Sequence, residues 1–187
     1  MMTKLFVWWF HFKGWKIEGE MPKNISQCVI IGAPHTSNWD FVYAMAALRI
    51  IQVKPNYLAK KQLFWWPLSL LLKKTGGIAV DRSKSHNLVE SIFTLFQSHE
   101  KLLMLFPAEG TRSAVKKWKT GFYWVALKAG VPVYMAYLDY GKRRAGIGPR
   151  LDVTGDIQAD FKKIKAFYSG IQPCVEKNFN RDGIRPD

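Results

Sequence analysis

Apolar residues fall along this chain in two rhythms. Short unbroken runs at 28–32, 57–60, 78–80, 102–106 and 131–138, with a brief one at 151–153, read as strands. Between them, apolar positions recur at helical spacing. Residues 38–51 carry Phe41, Ala44, Met45 and Leu48 on one side, and 87–99 carry Leu88, Ile92, Leu95 and Phe96. Residues 156–171 place Ile157, Phe161, Ile164, Tyr168 and Ile171 on one stripe, with acids first and lysines later, as the helix dipole prefers. Residues 64–73 read as a further helix with Pro67 in its first turn. Residues 118–128 read as another, closed by Gly130 as a left-handed C-cap. Strands alternating with helices predict an α/β fold: a mostly parallel sheet flanked by helices on both faces. In such sheets ligands bind in the loops beyond the carboxyl ends of the strands.

Residues 1–25 have a different texture. Phe6, Trp8, Trp9, Phe10, Phe12 and Trp15 are interspersed with Lys4, Lys13 and Lys16. Two readings are open: an interfacial amphipathic helix, or a terminal arm folded over the core. The rest, 26–187, reads as one domain, in keeping with a length of 187 residues, 48% of them hydrophobic and 22% charged.

Charge narrows the partners. A net charge of +14 predicts anionic ones: nucleic acid, anionic lipid or a phosphorylated substrate. Eight tryptophans favour the lipid, because Trp and Tyr collect at membrane–water interfaces. The apolar stretches at 5–10 and 63–72 fall short of the roughly 18–20 residues of a membrane span, and no signal-peptide pattern opens the chain. The expected location is therefore peripheral, on a membrane surface. Cys28 and Cys174 form no CxxC motif and read as reduced structural thiols.

The polar residues that interrupt these patterns fall where ligands bind. His35 and Asp40 follow the first strand. On one continuous helix their five-residue spacing would hold them roughly 140° apart. If His35 lies in a loop and the helix starts near Ser37 or Asn38, Asp40 enters the first turn and the loop folds back. Asp40 then orients one imidazole nitrogen and the other is free to take a proton. Asp81 and Arg82 follow the third strand. Residues 107–113 follow the next and hold Glu109, Gly110, Thr111 and Arg112, with Lys116, Lys117 and Lys119 after them. Arginine presents a planar fork that matches phosphate, and glycine lets the backbone approach a ligand closely.

His35-x4-Asp40, Gly77-Ile78-Ala79-Val80-Asp81-Arg82 and Phe106 to Ser113 resemble, in order, the first three blocks of the glycerolipid (lysophosphatidic acid) acyltransferase family. Gly130-Val131-Pro132-Val133 resembles a fourth. One departure is Ala108, which separates Pro107 from Glu109. The resemblance implies that 26–187 is an acyltransferase domain. It implies transfer of a fatty acyl group from an acyl thioester, acyl-CoA or acyl carrier protein, to a lysophospholipid hydroxyl, 1-acylglycerol-3-phosphate first among them. His35 would be the general base and Asp40 its orienter, with no acyl-enzyme. Arg82 would hold the acceptor phosphate, and Glu109, Gly110, Thr111 and Arg112 would position the acceptor. No metal and no cofactor is implied. An anionic membrane surface, on its cytoplasmic face, is the implied setting. The backbone N–H groups at the start of the helix after His35 are the expected oxyanion donors.

The alternatives are acylation of another lysophospholipid or an aminolipid, and a non-catalytic lipid- or anion-binding protein. No nucleic-acid module is recognisable, the histidines make no metal-ligand spacing with His35, and GxSxG is absent.

Overall fold

The computed structural model describes residues 2–22, 24–80 and 88–187. The expected alternation is present. After helix α1 (Met2–Phe12) come β1 (Lys16–Glu18), β2 (Gln27–Ala33), α2 (Trp39–Ile50), β3 (Asn56–Lys60), α3 (Leu68–Lys74) and β4 (Gly77–Val80). The second half holds α4 (Leu88–Ser98), β5 (Leu102–Pro107), α5 (Gly121–Ala129), β6 (Val133–Asp139), β7 (Arg144–Leu151) and α6 (Ile157–Tyr168). The seven strands form one sheet in the order β1-β7-β6-β2-β5-β3-β4. Strands β2 to β6 run parallel, and β7 pairs antiparallel with β6.

β2 sits at the centre, and both its faces are covered. Val29, Ile31 and Ala33 join a core with Ile92, Phe122, Val125, Phe161 and Ile164 from α4, α5 and α6. Cys28 and Ile30 face the other way, towards Leu48 of α2. A strand buried on both sides needs an unbroken apolar run, which is what residues 28–32 offer. Burial pushes the Cys28 thiol up to about 12, so it stays protonated and inert.

Tyr168 stitches two strands from within this core. Its fully buried hydroxyl lies 2.9 Å from both Ile31 O and Ala136 O. Tyr168→Phe is expected to lower stability by about 1–2 kcal/mol, read as a lower urea midpoint. An unchanged midpoint would mean that desolvation of the hydroxyl cancels its bonds.

Several boundaries differ from the sequence expectation. The helix expected from 118 begins only at Gly121, because Trp118 is fully buried and bridges to Pro186. The helix expected from 64 begins at Leu68. The start expected at 87 lies outside the described residues. The short strand expected at 151–153 is instead the end of the eight-residue β7. Gly130 caps α5 with φ 64°, as expected.

The aromatic arm folds over the core, as one of its two readings expected. β1 enters the sheet beside β7, and α1 packs on α2 through Phe6, Val7 and Phe10. The opposite stripe of α1 remains open, with Leu5 60%, Trp8 58% and Phe12 65% exposed.

Beyond α6 the chain turns back across the carboxyl edge of the sheet. Gln172 O accepts from Tyr140 N at 2.9 Å. Val175 N donates to Thr36 Oγ1 and Asn178 Nδ2 to Thr36 O, both at 3.2 Å. Asp187 accepts from Thr120 N, Thr120 Oγ1 and Lys119 Nζ.

Candidate active site

The chain leaves β2 at Ala33 and enters α2 at Trp39. The intervening loop folds back, the arrangement under which the spacing lets His35 and Asp40 meet. Asp40 occupies the first turn of α2, and its Oδ2 accepts from Thr36 N at 2.7 Å and Ser37 N at 2.8 Å. The same oxygen lies 3.3 Å from His35 Nδ1. Oδ1 accepts from the Tyr140 hydroxyl at 2.8 Å. A buried carboxylate is tolerated when donors surround it in this way. Facing Nδ1, it favours the tautomer with the proton there, leaving the Nε2 lone pair free.

These bonds bear on one expectation. Thr36 N and Ser37 N serve Asp40, and Trp39 N donates to Ser37 Oγ at 3.2 Å. Those three N–H groups, which open this loop and helix, are engaged within the loop.

The loop after β5 meets the first loop from behind. β2 and β5 run in register up to Gly32 and Pro107, and Ala108 N extends the ladder to Gly32 O at 3.3 Å. The additional Ala108 is itself buried and continues the pairing by one residue. Glu109 follows, 3% exposed, and both its oxygens lie 3.1 Å from His35 N, which donates to them. Burial pushes the Glu109 carboxyl up to about 7, against the smaller opposing pull of the His35 N–H and ring. Glu109 thus braces the backbone of His35. Unlike the role implied for it, it does not line the open cavity. Gly110 turns the chain at φ +71°, a left-handed conformation that favours glycine.

A cavity of about 500 Å³ opens beside these loops. His35, Gly110, Thr111 and Arg112 line its polar end, together with Lys60. Its remaining length runs between α2 and the sheet, past Ala44, Met45, Leu48 and Ile147, and is apolar. The His35 side chain is 29% exposed towards it. Arg82, with Asp81 and Ser83, lies outside the described residues.

Two neighbours of the site were missed in the sequence. Lys60 ends β3 at the same carboxyl edge as His35, a position the strand-end rule would have flagged. Tyr140 follows β6 at that edge, but no local signal ties it to Asp40, one hundred residues away.

The acyltransferase family model matches residues 16–138. That stretch holds β2, β5 and nearly all of β6, and with them His35, Asp40 and Glu109. The fold is similar to that of the 1-acyl-sn-glycerophosphate (LPA) acyltransferase PlsC from Thermotoga maritima, with a TM-score of 0.59 and 16% sequence identity over 87% of this chain and 73% of that one. No curated protein sequence matches. With the match spanning well over half of the sequence, the chain belongs to the acyltransferase family and is an enzyme that transfers acyl groups.

Proposed function

We propose that this enzyme moves a fatty acyl group from an acyl thioester, acyl-CoA or acyl carrier protein, to a hydroxyl of a lysophospholipid, foremost 1-acylglycerol-3-phosphate, in phospholipid biosynthesis. One observation carries the reading: the His35–Asp40 pair stands at the polar end of an otherwise apolar cavity. His35 Nε2 takes the proton of the acceptor hydroxyl as that oxygen attacks the thioester carbonyl. The tetrahedral intermediate then expels the thiolate, which is protonated as it leaves. A thioester is already activated, so the protein mainly aligns its substrates and removes a proton. Alignment lowers the barrier by about 7–11 kcal/mol, and a placed base adds roughly 10²–10⁴-fold in rate. The apolar length of the cavity suits an acyl chain, and Arg112 and Lys60 suit an acceptor phosphate, with Arg82 as a third cation. No metal or bound cofactor enters this chemistry.

The test supplies acyl-CoA, and separately acyl-acyl carrier protein, with a panel of lysophospholipids and aminolipids in detergent. Diacyl product from lysophosphatidic acid supports the reading. Product from another acceptor alone changes the acceptor, and none with either donor rejects it.

The proposed setting is peripheral, on the cytoplasmic face of an anionic membrane. Among the described residues no helix is long and apolar enough to cross a membrane. The open stripe of α1, together with exposed Trp39, Trp65 and Trp66, gives an aromatic surface on a chain of charge +14. Trp8→Ser combined with Phe12→Ser is expected to weaken binding to anionic vesicles at least about tenfold in a flotation assay, with the fold retained. Unchanged flotation would remove α1 from the contact.

A further inference from the structure

β2 has two neighbours in the sheet, and each sends one side chain to the loop that follows it. From β5 comes Glu109, to the His35 N–H. From the turn after β6 comes Tyr140, to the carboxylate of Asp40. We propose that Tyr140 is a positioning residue for acyl transfer, fixing the plane of the Asp40 carboxylate and, through it, the His35 imidazole. The proposal rests on His35 being the general base.

Asp40 Oδ2 is committed to Thr36 N and Ser37 N while facing His35 Nδ1. Those contacts all lie on one oxygen and leave the other to a separate partner. The Tyr140 hydroxyl, at 2.8 Å from Oδ1, supplies the second point that fixes the carboxylate plane. The tyrosine is itself held firmly. Its ring stands edge-on to Trp15 at 4.9 Å and to Tyr43 at 5.7 Å between centroids. Its backbone N donates to Gln172 O at 2.9 Å.

Three other ionisable groups surround this contact. They are His35 on the same loop as Asp40, Glu109 after β5, and Cys174, whose thiol lies beside the phenol. Burial first, then the charge and hydrogen bond of Asp40, push the Tyr140 phenol far above the ordinary tyrosine range. The hydroxyl therefore stays protonated and acts as a donor to Asp40 throughout the working pH range. It does not compete with His35 for the substrate proton.

Tyr140→Phe deletes this one bond and keeps the ring packing. Steady-state rates with the active donor and acceptor are measured beside His35→Ala, and the His35 imidazole is titrated by NMR in parent and variant. The expected result is a kcat lower by roughly 10- to 100-fold with KM within about twofold, as for a group misplaced near the reacting atoms. The Asp40 carboxylate, freed of one donor, faces His35 Nδ1 less rigidly, so the His35 ring resonances should differ between parent and variant. A parental kcat overturns the proposal. So does an effect confined to KM, which would mark an acceptor-binding residue. So does a fall in kcat that tracks the melting temperature while the His35 ring resonances match the parent's, which would mark a merely structural one. Full turnover in His35→Ala would refute the general-base reading itself, separately from Tyr140.

Discussion

His35→Ala is expected to lower kcat by at least about a hundredfold, and up to about 10⁴-fold, in a protein that folds as the parent does. The loss is large because the imidazole has no substitute in place. Asp40 is buried and already bonded to Thr36 N, Ser37 N and Tyr140, so it cannot swing out to take the proton. The fold is spared because the structural bond at this residue belongs to its backbone: His35 N still donates to Glu109 in the alanine variant. The side chain is 29% exposed, so its deletion opens no core cavity. Turnover would be followed by diacyl product formation, and folding by circular dichroism and urea unfolding. A variant with full activity would remove His35 from the chemistry.

Glu109→Gln is expected to change the pH dependence of stability. The folded Glu109 carboxyl titrates at about 7, against 4.5 for a free one. Below 4.5 both folded and unfolded chains hold the proton, so the residue carries no penalty of ionisation. From 4.5 to 7 the unfolded chain releases its proton while the folded chain keeps it, and folding weakens progressively. Above 7 both are ionised and the penalty is constant, at roughly 3 kcal/mol at most. Glutamine has no proton to release. Compared by urea unfolding between pH 4.5 and 8.5, the variant should therefore gain on the parent as pH rises, by up to roughly 3 kcal/mol. A difference that stays flat with pH would mean that Glu109 is ionised in the fold throughout. That a buried carboxylate persists here despite its cost fits an enzyme that places stability second to its site. In the proposed mechanism, an ionised Glu109 beneath the loop would also favour the imidazolium formed when His35 takes a proton.

Much of this was legible in the sequence because local pattern and tertiary environment agreed. Residues 28–32 and 102–106 are apolar throughout because their strands are covered on both faces, and periodicity placed α2, α4 and α6. The spacing of His35 and Asp40 ruled out a meeting on one continuous helix and allowed the fold-back that the structure shows. The remainder depended on partners far along the chain. β7 contains two glycines, a proline and two arginines, and is a strand because β6 and β1 pair with it. Trp118 looked like a helical residue and is held instead by Pro186. Glu109 carries a motif that suggests contact with substrate. Only the β2–β5 register shows its carboxylate reaching the backbone of His35.

The fastening of Thr36 by Val175 and Asn178 has a consequence for how the enzyme is made. The two ends of the Val175 bond are 139 residues apart. On a ribosome adding about 5–20 residues per second, the nascent chain exposes the loop of His35 and Asp40 roughly 7–30 s before the residues that secure it have been synthesised. β5 and β6, leading into Glu109 and Tyr140, emerge in the interval. The order of synthesis therefore builds His35 and Asp40 first, their braces next and the clasp last, so the loop is fastened only when Asn178 has left the exit tunnel.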